Sequence, residues 1–352
     1  MKYFLLDQVE SADWSADFVE SFFLNVLRRA PTPRETNDLK VLIAQYSSDP
    51  CSAINALAST EYVQDLLGVK VKWTPGHYYS PIPDPGRVRE YVANMRKQGG
   101  NCIDGISINL HDMRSLWLKN LDCVKATPFA HGPTPGNRYR EQGGPYPMGD
   151  AVVLRMMINN YRPRRIIEIG SGFTTACMLD SLDHFQIDEE TEVTCIEPFP
   201  ERLFDLLKPA DLERINLIES PVQEVGLEIF DSLSANDLLV IDSTHVLKAG
   251  SDVHYELFYI LPRISVGTLV HVHDIRSPFE YPQKWIEENY AWNEAYALRA
   301  FLMYNTDFRV KFWNSRFAPA YLEEIRTECP QVFPNPGSAI WIERVSGPTK
   351  NI

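Results

Sequence analysis

From residue 150 onward, short apolar runs alternate with segments whose apolar residues recur every three or four positions. The runs RRIIEIG, TEVTCIEP, INLIES, LLVIDS and GTLVHVHD predict five strands, and FRVKFWNSRF and SAIWIERV predict the last two. The segments between them predict helices, including one long helix over WIEENYAWNEAYALRAFLMYN. Strands that alternate with helices predict an α/β fold with a doubly wound, mostly parallel sheet covered on both faces.

The part of the chain before this pattern divides into two further regions. Residues 1–69 carry apolar residues at helical spacing and predict a small α-helical N-terminal domain. Residues 70–130 are less regular and begin with the Pro/Gly-rich PGHYYSPIPDPGR, which predicts a linker and an irregular, partly helical connector. The sheet domain is assigned to 131–352, and its entrance loop HGPTPGNRYREQGGPYPMG is again rich in Gly and Pro.

Charge and cysteine usage narrow the class of partner. The chain of 352 residues has 34 basic and 47 acidic side chains, a net charge of −13, which disfavours nucleic acid or an anionic membrane as the main partner. No run approaches the length of a membrane span, and no secretory signal is predicted. The six cysteines form no CxxC pair, which favours a reducing cytoplasm over a disulfide framework or a zinc site.

A glycine-rich turn follows the first predicted strand of the sheet. The strand ends on Glu168 and runs into Gly170-Ser171-Gly172, where glycines let the backbone approach a ligand. NAD-dependent Rossmann enzymes and S-adenosylmethionine (SAM) methyltransferases share this plan. The dinucleotide motif requires a third glycine three residues further on, and position 175 is threonine, which favours SAM.

Acidic and polar residues near this turn suit the parts of SAM. Glu168 could order the ammonium end, Glu197 at the end of the second strand could bind both ribose hydroxyls, and Gln223 follows the third strand where an adenine edge could be read. The predicted SAM-binding residues are Glu168, Gly170, Ser171, Gly172, Thr174, Glu197 and Gln223.

Two later strands end on ionisable side chains. LLVIDSTHV places Asp242 at a strand end with His245 three residues later, and VGTLVHVHDI ends on His273 and Asp274. The carboxyl ends of neighbouring parallel strands meet at one edge of a sheet, where ligands bind. Two adjacent carboxylates repel each other, so a shared proton or a bound cation is expected between Asp242 and Asp274, with His273 as a third ligand.

Over about residues 130–345 the chain resembles a class I SAM-dependent methyltransferase of the Methyltransf_24 type. The resemblance is carried by the motifs RRIIEIGSGFTT, CIEPFP, LLVIDSTHVLKAGSDV, VHVHDIRSPFEYPQKW and WNEAYALRAFL. The resemblance implies a Rossmann-like, seven-stranded sheet whose last strand is reversed. FV…FFLNVLRRAPTPRE…L…STEYV in the N-terminal region resembles a DUF4214-like helical module.

The chain is also similar to sugar O-methyltransferases that hold a divalent metal with an Asp at the end of strand four and an acidic pair at the end of strand five. The resemblance implies that His245 is the general base, that Asp242 acts with it, and that Asp242, His273 and Asp274 are metal ligands. His273 replaces the first acid of the pair. Two oxygens and an imidazole suit Mn, Fe or Zn better than Mg.

We therefore expect a SAM-dependent methyltransferase that methylates a hydroxyl of a sugar, glycan or glycosylated small molecule, with a homo-oligomer as one possible state. Two alternatives stay open: an NAD-dependent oxidoreductase or epimerase, and a non-catalytic binding module on a methyltransferase fold. A group of aromatic residues over 279–296 also has two interpretations, because such rings stack on sugars but more often form core.

Overall fold

The computed structural model describes residues 76–97, 103–141, 145–187, 190–288 and 290–347. The predicted helical module over 1–69 lies outside these residues. The chain divides into two compact units, Met1–Asp84 and Pro85–Ile352. Within the described part of the first unit, residues 76–84, the backbone forms turns. The boundaries drawn from the sequence at 69/70 and 130/131 stay a prediction.

The second unit is built on one sheet of seven strands in the order β3-β2-β1-β4-β5-β7-β6. Strands β1 to β5 pair in parallel, and β7 runs antiparallel to both of its neighbours. The predicted α/β class and the reversed last strand are therefore confirmed. The strands are β1 (Arg165–Ile169), β2 (Glu192–Ile196), β3 (Ile215–Ile218), β4 (Leu238–Ile241), β5 (Leu269–Val272), β6 (Phe308–Trp313) and β7 (Ile340–Arg344).

Helices cover the sheet, and the central strands β4 and β5 are buried throughout. Strands buried along their whole length need cover on both faces. The helices are α1 (Pro85–Lys97), α2 (Leu110–Lys119), α3 (Leu121–Lys125), α4 (Met148–Tyr161), α5 (Phe173–Phe185), α6 (Glu201–Phe204), α7 (Asp252–Tyr255, followed by a π-helical turn Glu256–Ile260), α8 (Gln283–Glu287), α9 (Glu294–Leu302), α10 (Asn314–Ala320) and α11 (Leu322–Glu328). Among the described residues, no helix is long and apolar enough to cross a membrane.

Backbone hydrogen bonds align the strand ends along one edge of the sheet. The Asp242 amide donates to the Ile169 carbonyl over 2.9 Å, and the His273 amide donates to the Ile241 carbonyl over 2.9 Å. The ends of β1, β4 and β5 therefore lie side by side. The residues that follow these strands therefore share one edge of the sheet, and in open α/β sheets the ligand crevice lies at this edge, where the strand order reverses.

Two predicted elements are wrong in extent. The single long helix predicted over 285–305 is two helices, α8 and α9, because the Asn293 side chain bonds to the Leu247 backbone at the start of α9. The strand predicted over 308–317 ends at Trp313, and α10 begins at Asn314. There the Asn314 side chain donates to the Gly149 carbonyl and to Asp150, which turns the chain away from the sheet.

Candidate active site

The glycine turn after β1 is in direct contact with the end of β4. Gly170 has a φ of +81°, a conformation that side-chain-bearing residues rarely adopt. A β-carbon at this position would lie 1.9 Å from the Asp242 carbonyl oxygen. Glycine is therefore required here for both its conformation and its size, and the turn fixes the spacing between the two strand ends.

A hydrogen-bond relay connects the turn to Glu168. The Gly172 amide donates to Thr175 Oγ1 over 3.0 Å, and the Thr175 hydroxyl donates to Glu168 Oε2 over 2.5 Å. Glu168 is fully buried, and its Oε1 has no hydrogen-bond partner among the described residues. Burial raises the pKa of Glu168 to about 8, although the hydroxyls of Thr175 and Ser171 act in the opposite direction. Thr175 therefore donates a hydrogen bond to the Glu168 carboxyl group from the position where a dinucleotide-binding motif has its third glycine.

Two other residues predicted to bind SAM, Glu197 and Thr174, lie beside this turn. Glu197 accepts hydrogen bonds from the Ser171 amide over 3.0 Å and from the Phe199 amide over 2.8 Å, which orients its carboxylate beside the glycine turn. Thr174 Oγ1 lies 3.4 Å from Asp242 Oδ2. Gln223 is exposed on a short 3₁₀ turn after β3.

Asp242 is the centre of the ionisable cluster at the end of β4. Its Oδ1 lies 3.1 Å from His273 Nδ1 and 3.7 Å from His245 Nε2. Burial alone would raise the pKa of Asp242, but the neighbouring imidazoles, chiefly that of His273, lower it to about 2. Asp242 is therefore an anion at neutral pH and an acceptor for groups in the crevice.

His245 is oriented by a carboxylate that the sequence did not indicate. Its Nδ1 lies 2.7 Å from Glu294 Oε2, at the start of α9, and both side chains are buried. An ionised Glu294 only accepts hydrogen bonds, so it pairs with a protonated Nδ1 and directs Nε2 toward Asp242. Burial opposes the charged imidazole, yet Glu294 and Asp242 raise the pKa of His245 overall. Burial also raises the pKa of Glu294, and its bond to His245 opposes that rise.

The backbone holds His245 in an uncommon conformation. Its φ is +61°, and its carbonyl accepts hydrogen bonds from the Asn293 and Glu294 amides over 3.1 and 3.2 Å. Non-glycine residues with positive φ persist where surrounding contacts determine the conformation, often at functional sites. The loop after β4 and the start of α9 therefore form one hydrogen-bonded unit around the imidazole.

His273 lies between two acids. Its Nδ1 lies 3.1 Å from Asp242 Oδ1, and its Nε2 lies 3.3 Å from Oδ2 of Asp150 in the first turn of α4. These carboxylates raise the pKa of His273 against the opposing effect of burial. The Asp274 side chain is held by Ser338: its Oδ1 accepts a hydrogen bond from the Ser338 hydroxyl over 2.7 Å, and its Oδ2 lies 3.8 Å from His273 Nδ1.

The structure brings together most, but not all, of the residues predicted for a metal site. Ligand atoms of Asp242, His245 and His273 lie within 4.8 Å of one another, a spacing that could hold a metal ion. Asp274 is not in this set, and His245 takes its place. Sequence reasoning missed Glu294, Asp150 and Thr175. Glu294 lay within a stretch interpreted as one continuous helix, and only the break before α9 could have indicated it.

Comparisons with known sequences identify a family model and a relative that match this chain. Residues 167–275 match the Methyltransf_24 family model, described as a methyltransferase domain. An uncharacterized protein of Archaeoglobus fulgidus is 34% identical over 171 residues, which cover 46% of this chain and 74% of that protein.

Solved structures are more distant. A methyltransferase of Podospora anserina with SAH bound is 13% identical with a TM-score of 0.38, over 76% of this chain and 99% of its own. The protein cmcI with Mg and SAM is 17% identical with a TM-score of 0.31, over 64% of this chain and 84% of its own. Neither likeness bears on substrate or mechanism. From the family match and the glycine turn, the chain belongs to the Methyltransf_24 family and is a SAM-dependent methyltransferase.

Proposed function

We propose that this enzyme transfers the methyl group of SAM to a hydroxyl of a sugar, glycan or glycosylated small molecule, with His245 as general base. The observation that carries the proposal is the Glu294–His245 pair, joined over 2.7 Å and placed beside the glycine turn. A buried imidazole whose one nitrogen is fixed by a carboxylate keeps its other nitrogen free to accept a proton.

The proposed donor site is the crevice at the glycine turn. The backbone of Gly170, Ser171 and Gly172 lies against the methionine part of SAM, and the unpartnered Glu168 Oε1 accepts from its ammonium group. The Glu197 oxygens, each already accepting one amide, have further lone pairs for the ribose hydroxyls. Gln223 reads the adenine edge.

In the proposed reaction, the acceptor oxygen attacks the methyl carbon in line with the sulfonium. A C–O bond forms, the C–S bond breaks with its electron pair going to sulfur, and SAH leaves as a neutral thioether. His245 Nε2 takes the hydroxyl proton, and Glu294 stabilises the resulting imidazolium. The Asp242 carboxylate, 3.7 Å from Nε2, orients the hydroxyl. Holding the two reactants in this geometry supplies much of the rate.

A second candidate for the same site is a divalent metal. Two imidazole nitrogens and one carboxylate oxygen, from His245, His273 and Asp242, are a donor set that fits Zn, Mn or Fe better than Mg, and their atoms lie within 4.8 Å of one another. When bound, such an ion would supply Lewis-acid activation of the acceptor hydroxyl. His245 Nε2 cannot both ligate the ion and accept the proton, so the two roles of His245 exclude each other.

Calorimetric titration tests the proposal. We expect heat with SAM and none with NAD, because the motif lacks the third glycine. Each titration is repeated with chelator and with added Mn or Mg. Methyl transfer is followed as SAH formation in the presence of an acceptor. Activity that persists with chelator supports His245 as the base, whereas activity that is lost with chelator and restored by Mn supports the metal. Binding of NAD in preference to SAM, or SAM binding without any methyl transfer, contradicts the proposal.

Location and assembly stay predictions of the sequence. A reducing cytoplasm is supported by the absence of CxxC pairs, and Cys123, Cys177, Cys195 and Cys329 are free thiols. A homo-oligomer is proposed as one state of the enzyme, and sedimentation measures it directly.

A further inference from the structure

A group of aromatic rings leads outward from His245. We call it the aromatic shelf: Trp285 on α8, and Tyr290 and Trp292 in the segment before α9. The Trp292 ring centroid lies 4.3 Å from that of His245, 4.9 Å from Tyr290 and 5.1 Å from Trp285. Trp285 and Tyr290 are nearly parallel, with 14° between their planes and 6.0 Å between their centroids. The proposed base is therefore at one end of a continuous aromatic surface.

The shelf differs from the core aromatics of the same stretch. Phe279 and Tyr281 are 1% and 3% exposed and belong to the core, as one interpretation of the sequence expected. Tyr290 is 43% exposed, and Trp285 and Trp292 are only partly buried. Partly exposed tryptophans beside a buried ionisable pair are typical of a ligand-binding surface, because they present apolar area that folding alone leaves uncovered.

The shelf is fixed relative to His245. The Asn293 side chain accepts from the Leu247 amide over 2.6 Å and donates to the Leu247 carbonyl over 3.2 Å. The Asn293 and Glu294 amides also donate to the His245 carbonyl. Asn293 is therefore anchored to the loop after β4, and its two neighbours in the chain, Trp292 and Glu294, are held beside His245. A ligand on the shelf is therefore positioned by the same segment that orients the base.

Charges at the outer end of the shelf indicate what lies on it. Glu287 pairs with Arg89 of α1 over 2.8 Å, and Glu288 pairs with Lys284 over 3.7 Å, so these two cations are compensated. Together with Asp242 and Glu294 at the inner end, the surroundings disfavour an anionic ligand and supply acceptors for hydroxyl donors. A ring with C–H groups on its face and several hydroxyls at its edge satisfies both conditions, whereas a phenol offers one hydroxyl.

We propose that the aromatic shelf is the acceptor subsite and that it takes an uncharged glycoside, with a ring face on Trp292 and a hydroxyl directed to His245. This inference rests on the proposed function and adds to it the residues that hold the acceptor and the exclusion of charged acceptors. Trp292 is the central contact, since it adjoins both His245 and the outer rings.

Ligand-observed NMR on the SAH-loaded protein tests the subsite without requiring turnover. The probes are methyl glucopyranoside, 4-methylphenol and glucose 6-phosphate. We expect the glucoside to bind the wild-type protein. Trp292→Ala should weaken glucoside affinity about tenfold, which corresponds to about 1.4 kcal/mol of lost stacking. Trp292→Phe should keep most of the affinity. Phe333→Ala removes an exposed ring that packs on Arg326, remote in sequence from the shelf, and should change nothing.

Several results would overturn the subsite. They are binding of none of the probes, tighter binding of the phenol or the phosphate than of the glucoside, and unchanged glucoside binding in Trp292→Ala. SAM calorimetry on each variant separates the proposed function from the proposed subsite. If SAM binding and methyl transfer are normal and Trp292→Ala changes neither glucoside binding nor activity, only the subsite is rejected.

Discussion

The two halves of the crevice are built in different ways. The donor half, apart from Gln223, lies within residues 168–199 in the turns after β1 and β2, and it is held mainly by backbone amides and one threonine. The acceptor half, the ends of β4 and β5, is held by side chains from α4 and α9, with His245 and Glu294 separated by 49 positions in the chain. A site built from residues close together in the chain can be recognised in the sequence. A site built from distant segments becomes visible only in the folded structure. The predictions below test this contrast.

The largest effect is expected from the acceptor half alone. His245→Ala removes the proposed base, so kcat should fall about 10²- to 10⁴-fold while SAM affinity stays unchanged. Steady-state kinetics and SAM calorimetry measure the two quantities separately. His254→Ala, a histidine on α7, is the matched control and should retain full activity. Equal loss of SAM binding in His245→Ala would mean that the halves are not separable.

Gly170→Ala should damage both halves, because its β-carbon would meet the Asp242 carbonyl. We expect a loss of about 3 kcal/mol in unfolding free energy, from strain at positive φ and from the clash together, and loss of SAM binding. Gly250→Ala is the control: its φ is +73°, but no atom lies within 4 Å of the added carbon. It should cost only the conformational part, about 1 kcal/mol. Chemical denaturation that gave equal losses would contradict the role of the contact.

Glu294→Gln sharpens the contrast within the acceptor half. Glu294 raises the pKa of His245, and a base works only in its deprotonated form. We expect kcat/KM to fall about tenfold and the acidic limb of its pH profile to move to lower pH, since the imidazole loses its proton more easily without the anion. Glu288→Gln, at the exposed end of α8, should leave the profile in place. A limb that does not move would assign that ionisation to another group.

The smallest effect is expected in the donor half. Glu168→Gln should weaken SAM binding about tenfold, because the amide cannot neutralise the ammonium group. The same change should stabilise the protein without SAM. The pKa of Glu168 rises from 4.5 to about 8 on folding, so the folded protein keeps a proton that the unfolded chain has lost, and stability falls as pH rises between these values. Thermal melts at pH 5 and pH 8 should differ in wild type more than in the variant, with exposed Glu192→Gln as control.

Sequence reasoning predicted the strands and placed Glu168, Glu197, Asp242 and His273 at their ends, because apolar runs and the polar residues that end them are local signals. The reversed last strand was implied by the family resemblance. Sequence reasoning did not predict Glu294 or Asp150 as partners. Their selection depends on how α9 and α4 pack, and no spacing in the chain encodes that distance. It also assigned Asp274 to the metal set, whereas a positive φ of 53° and the Ser338 hydroxyl direct that side chain elsewhere.

The attachment of Asn293 to Leu247 has a consequence for how such an enzyme could change its acceptor. Because Trp292 and Glu294 flank this anchor, a mutation that reshapes the inner end of the shelf also disturbs the imidazole. Trp285 and Tyr290 lie beyond the anchor and can vary while proton transfer is retained. Divergence among descendants of this chain should therefore accumulate at the outer rings first.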